Sequence, residues 1–159
     1  MGICAGQYYL SQTIVWSGVQ YTYLNLFLGT CTGPMSDLGG GSTYQTTTTH
    51  IDDATIGITN TDMTMLYYGG GYLTNLAASS ATMVANYSYG GTASGQANGI
   101  RFTYGSGHVF LTGTHPEMRC GSTEDWSLWD NYVENSNTTL TSSNPWPYFS
   151  AIMDNWLAL

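Results

Sequence analysis

MGICAGQYYL, residues 1–10, sets one cysteine between two glycines as Gly2-Ile3-Cys4-Ala5-Gly6. That G-x-C-x-G spacing belongs to a nucleophile elbow, a sharp strand-to-helix turn that exposes a reactive side chain. Working outward, the elbow predicts a helix over residues 5–17, AGQYYLSQTIVWS, with Tyr9, Ile14 and Trp16 among its apolar positions and Gly18 at its end. Only Met1, Gly2 and Ile3 precede Cys4 to form the feeding strand. The elbow reading therefore carries the expectation that an N-terminal part of the domain is missing from this chain.

The chain has 159 residues, enough for one domain with its own core. Two arginines face ten acidic residues, for a net charge of -8. So few cations cannot neutralise a phosphate backbone, which excludes nucleic acid as a partner. No stretch approaches the ~20 apolar residues of a membrane span, so none is expected. No basic, apolar leader opens the chain, so export would require a signal upstream of Met1. Solubility falls instead to uncharged polar groups, chiefly 23 Thr and 15 Ser. That composition, with the sequons at Asn86 and Asn137, suits an extracellular or cell-surface protein, the alternative being cytoplasmic. Three cysteines are an odd count. An oxidising compartment would pair Cys31 with Cys120 and leave Cys4 free; the alternative is three unpaired thiols.

The middle of the chain reads as β-rich, with runs around 21–27, 43–51, 63–68, 81–89, 99–104 and 108–113. Gly39-Gly40-Gly41, Gly69-Gly70-Gly71 and Gly90-Gly91 punctuate it, and GIRFTYGSGHVFLTG predicts a hairpin turning at 105–107. Two C-terminal helices are expected. Ser122 and Asp125 resemble a capping box ahead of Trp126, Trp129, Tyr132 and Val133. After SNPWP, residues Tyr148, Phe149, Ile152, Met153, Trp156 and Leu157 form a second apolar stripe. We divide the chain into a single partial domain, 1–159, whose residues 121–159 are a helical extension.

The hairpin runs into His115-Pro116-Glu117. Pro116 keeps this segment extended, so the side chains at 115 and 117 can project the same way. A histidine base oriented by a carboxylate has this spacing, and with Cys4 the three residues supply a Cys-His-Glu triad. Ala5, at the start of the helix, would offer its N–H to an oxyanion. His50, Asp52 and Asp53 lack a fourth ligand, and no metal or other cofactor is expected.

Gly-Ile-Cys-Ala-Gly and Gly-Thr-His-Pro-Glu resemble the two signature segments of the class I glutamine amidotransferase-like superfamily. LNLFLGTCTGP, LYYGGGYL and IRFTYGSGHVFLTGTHPE further resemble the branch typified by the amino-terminal domain of biotin–protein ligases, in the same order over about residues 1–120. The resemblance implies a flavodoxin-like α/β sandwich whose first βα units are absent here. It implies Cys4 as nucleophile, His115 as base and Glu117 as orienting acid, with Gly69, Gly70 and Gly71 near the pocket.

Two functions follow as expectations. The first is a cysteine amidohydrolase, of glutaminase or amidotransferase type, acting through a thioester on a small-molecule or peptide amide. The second is a non-catalytic structural or binding module of the same fold, self-assembling at the cell surface. Its partners would be the missing N-terminal half, in the same polypeptide or as a separate chain, and further copies of itself as a homo-oligomer.

Overall fold

A computed structural model describes residues 1–118 and 144–158. The protein is α/β, dominated by one mixed sheet. β1 (Gly2–Ile3) enters the elbow and α1 (Ala5–Leu10) leaves it. β2 (Ser11–Trp16), β3 (Val19–Thr22) and β4 (Phe27–Gly33) follow. A 3₁₀ segment, Ser36–Gly41, leads to β5 (Gln45–Asp53), β6 (Ile58–Tyr67), β7 (Tyr72–Thr74) and β8 (Thr82–Tyr87). β9 (Ala97–Tyr104) and β10 (Gly107–Thr112) form the expected hairpin. α2 (Trp146–Ile152) continues as a wider turn through Leu157. The sheet order is β3-β2-β4-β7-β9-β8-β5-β6, with β10 on β9 and β1 parallel to β10.

The expected 5–17 helix stops at Leu10. From Ser11 the backbone is extended, and Ser11 Oγ turns back to donate to Gln7 O at 2.8 Å. The Thr13-Ile14-Val15 run is β-branched and loses side-chain freedom in a helix. As β2 it pairs on both edges, parallel to β4 and antiparallel to β3. Ser17 and Gly18, both at positive φ, turn the β2–β3 hairpin instead of ending a helix. β4 and β7 are strands that the residue pattern did not separate.

Adjacent residues on β10 show how the sheet is covered. Leu111 packs with Tyr8 of α1, Phe27, Leu73 and Ile100. Phe110 packs with Ile51, Met65 and Val84, and with Tyr148 and Ile152 of α2. Successive strand residues face opposite ways, so among the described residues α1 covers one face of the sheet and α2 the other. The expected apolar stripe around 148–157 docks on this sheet: Tyr148 and Ile152 are fully buried. The other expected helix, with Ser122, Asp125, Trp126 and Trp129, lies outside the described residues.

The expected Cys31–Cys120 pairing needs correction on one side. Cys31 is a free, fully buried thiol on β4 that donates to Gln7 Oε1 at 3.4 Å. Cys120 lies outside the described residues.

Candidate active site

Cys4 sits at φ 51°, ψ -107°, a positive φ that non-glycine residues rarely adopt. Two contacts hold the turn. The Cys4 N–H donates to Thr112 O at 2.9 Å, extending the parallel β1–β10 pairing by one residue. A Cβ added at Gly2 would lie 2.8 Å from Leu10 Cδ1, 2.9 Å from Leu111 Cδ2 and 3.0 Å from the Gly6 backbone carbon, so a side chain there must displace the two leucine ends. At Gly6 a Cβ would meet nothing within 4 Å. Of the two glycines in G-x-C-x-G, the first is thus the crowded one.

The segment after β10 brings in the other two residues. Asn98, fully buried, accepts from the N–H groups of Gly113 and Thr114 through its Oδ1, at 3.1 and 3.2 Å. Its amide nitrogen donates to Thr49 Oγ1 and Thr114 Oγ1. The His115 N–H then bonds Leu66 O on β6 at 3.0 Å. Held this way, His115 Nδ1 lies 2.8 Å from Glu117 Oε1, with the two side chains 16% and 29% exposed. Nε2 is left as the ring nitrogen for Cys4.

Burial by itself would lower the basicity of His115. Hydrogen bonds that the ring donates to Cys4 and Glu117, together with their negative charge, outweigh burial and push the imidazole up to about 9. At neutral pH the ring is therefore an imidazolium beside the sulfur. Cys4 Sγ also contacts Tyr68 O at 3.1 Å. α1 is only six residues long, so its dipole contributes less than the 13-residue helix expected from sequence.

Of the three glycines expected near the pocket, only Gly69 lines it. Gly70 packs against the segment after β10: a Cβ there would fall 1.7 Å from Gly113 O. Gly71 packs on Cys31 Sγ and Thr32 O, and its N–H bonds Gln7 Oε1 at 3.2 Å. Ala5 does line the pocket, beside Cys4.

Two residues of α1 that carried no sequence signal organise this region. Gln7 is fully buried and ties α1 to Gly71, to Cys31 and, through Nε2, to Asn98 O. Tyr8 donates to Gly69 O at 2.9 Å, and burial pushes its phenol far above the ordinary range, keeping it neutral. The cavity beside Cys4 measures about 570 Å³ and is walled chiefly by aromatic rings.

Of the residues weighed for metal binding, His50 and Asp53 are engaged with separate partners. His50 Nδ1 pairs with Asp62 at 2.7 Å. Asp53 is nearly buried in an ion pair with Arg101 and also accepts from the Thr55 N–H. His108 stacks on Trp156 at 4.3 Å.

The family model described as "Biotin-protein ligase, N terminal" matches residues 1–145. No curated protein matches the chain.

Proposed function

The chain belongs to the biotin-protein ligase N-terminal family, and from that premise we propose that it is a cysteine amidohydrolase of the glutamine amidotransferase-like kind. The observation that carries this reading is the convergence of a positive-φ cysteine with the His115–Glu117 pair. A sulfur nucleophile at an elbow, an imidazole beside it and a carboxylate behind the imidazole make up a nucleophile–base–orienter arrangement. The parallel β1–β10 pairing and a helix on each sheet face support the flavodoxin-like assignment. The low charge and the Thr- and Ser-rich composition support an extracellular or cell-surface location.

The Cys4 thiolate attacks the carbonyl carbon of an amide and forms a C–S bond. The electron pair displaced onto oxygen is met by the Ala5 N–H. As the tetrahedral species collapses, the C–N bond breaks and the His115 imidazolium gives its proton to the departing nitrogen. An amine, or ammonia from a primary amide, leaves behind a thioester on Cys4. His115, now neutral, takes a proton from water. The hydroxide adds to the thioester, the C–S bond breaks, and a carboxylic acid departs with the thiolate–imidazolium pair restored. Glu117 stays ionised throughout and holds the ring orientation through Nδ1.

The test uses p-nitrophenyl acetate as an activated acyl donor, followed by peptide mass mapping. The expected result is acetylation at Cys4 that forms rapidly and turns over, is absent in Cys4→Ser, and slows at least 100-fold in His115→Asn. Acetylation of Cys4 no faster in the folded chain than in the denatured one would refute the reading.

A further inference from the structure

We propose that the cavity beside Cys4 selects amides whose acyl or amine substituent is a neutral aromatic or apolar group, and discriminates against charged substrates such as free glutamine. This rests on the reading of Cys4 as nucleophile. It goes beyond that reading, because the triad alone does not say what is held next to the scissile bond.

Tyr8, Tyr9, Trp16, Tyr21, Tyr23 and Tyr68 contribute walls to the cavity, and among the described residues no charged side chain lines it. Five of these rings, all but Tyr21, pack against one another or against a neighbouring ring. Tyr8 and Trp16 meet edge to face at 5.1 Å, Tyr9 and Tyr23 at 5.2 Å, and Tyr68 packs on Tyr44 at 4.3 Å. Braced aromatic walls present a large apolar surface at little entropic cost and suit a flat or apolar substituent. The polar contacts to Tyr8 and Cys4 run to backbone carbonyls, Gly69 O and Tyr68 O, and so are uncharged.

The three kinds of substituent differ in what this cavity offers them. A carboxylate or an ammonium entering it would lose hydration and find no counter-charge among the described lining residues, the ring faces compensating an ammonium only in part. The His115 imidazolium beside Cys4 does not line the walls and is already paired with Glu117. Free glutamine carries both charges on the far side of its amide and would leave both unpaired. A benzyl-type or branched alkyl group meets neither penalty and buries apolar area against the rings.

The experiment measures second-order rates of Cys4 alkylation by four related electrophiles: chloroacetamide, N-benzylchloroacetamide, chloroacetate, and a chloroacetamide bearing a trimethylammonium ethyl arm. Each rate is divided by that of the same reagent with glutathione. The proposal expects the benzyl amide to exceed chloroacetamide by at least tenfold and both charged reagents to fall below it. Tyr21→Ala should shrink the benzyl-to-parent ratio at least threefold. A flat series at a reactive Cys4, or a preference for either charged reagent, would overturn the proposal while leaving the nucleophile reading intact.

If instead no reagent labels Cys4 faster in the folded chain than in the denatured one, the nucleophile reading fails, and the cavity is judged separately. Binding of N-benzylacetamide to the Cys4→Ser chain is then followed by ligand-observed NMR. Saturable binding that weakens in Tyr21→Ala supports the proposal, and no binding at millimolar concentration overturns it.

Discussion

Replacing Glu117 by Gln should lower the pH at which His115 gives up its proton by one to two pH units. The Nδ1–Oε1 contact is 2.8 Å, and Gln keeps an oxygen that can accept there while the charge is lost. At ~4 Å between charge centres and an effective dielectric of ~20, such a pair is worth about 4 kcal/mol before screening. Glu117 is 29% exposed, which trims that figure, and burial of the ring opposes it. In the intact protein His115 rises from 6.5 to about 9, equivalent to ~3 kcal/mol at ~1.4 kcal/mol per pH unit. The raised value fixes the sign. His115 contributes this stability fully below pH 6.5 and loses it as pH climbs through about 9. In Glu117→Gln the contribution shrinks, and its loss is complete at a correspondingly lower pH. Carbon-13 NMR of histidine-labelled protein, with His115→Asn assigning the resonance among three histidines, reads the titration directly, and thermal unfolding between pH 6 and 10 reads the linked stability. A Glu117→Gln midpoint still near 9, or a wild-type midpoint below 7, would refute the electrostatic account of the site.

The remaining predictions concern how the site is held. Gly70→Ala should be poorly tolerated, because a Cβ there would fall 1.7 Å from Gly113 O on the backbone leading to His115. A loss of at least 2 kcal/mol in urea unfolding is expected, on the scale of overpacking costs. Gly6→Ala should behave oppositely. Nothing lies within 4 Å of its Cβ position, and alanine in place of a helical glycine stabilises by up to about 1 kcal/mol, so a small rise in Tm is expected and a fall would contradict the open space. Asn98→Ala removes the side-chain acceptor of the Thr114 N–H, while the Gly113 N–H keeps the Asn98 backbone carbonyl at 3.0 Å. At roughly 1–3 kcal/mol per stranded buried donor, it should cost about 2 kcal/mol and slow Cys4 acylation more than a remote variant of equal destabilisation.

The parts of the site legible in the sequence are those in which a local spacing carries the chemistry. Gly2-Ile3-Cys4 encodes a strand running into a crowded turn, and the Gly2 slot between Leu10 and Leu111 is the physical reason. His115-Pro116-Glu117 encodes an imidazole and a carboxylate on one side of a restrained segment. The end of α1 was not legible. Tyr9, Ile14 and Trp16 fit a helical stripe, and only pairing with β3 and β4, strands from elsewhere in the chain, makes 11–16 a strand. Non-local pairing also hides Gln7, a polar residue in a helix whose burial depends on Gly71, Cys31 and Asn98 arriving from three other segments. Tyr21 and Tyr23 read as ordinary strand aromatics, because their wall of the cavity exists only once the β2–β3 hairpin folds toward the elbow.

The register between β1 and β10 decides whether these parts make a site. β1 has two residues, paired as Gly2 with Leu111 and Ile3 with Thr112. Successive strand residues alternate faces, so a slip of one residue would turn every β1 side chain to the opposite side and carry the elbow with it. Two residues of ladder cannot resist that slip through hydrogen bonds alone. The steric fit of Gly2 against Leu10 and Leu111 opposes it on one side. The Cys4 N–H bond to Thr112 O opposes it at the end of the strand. Thr112 is itself buried and tied to Asn98, the residue that places the turn before His115. One side-chain network therefore sets both the nucleophile's register and the imidazole's approach. It follows that damage at Asn98 should appear in the Cys4–His115 coupling before it appears as global unfolding.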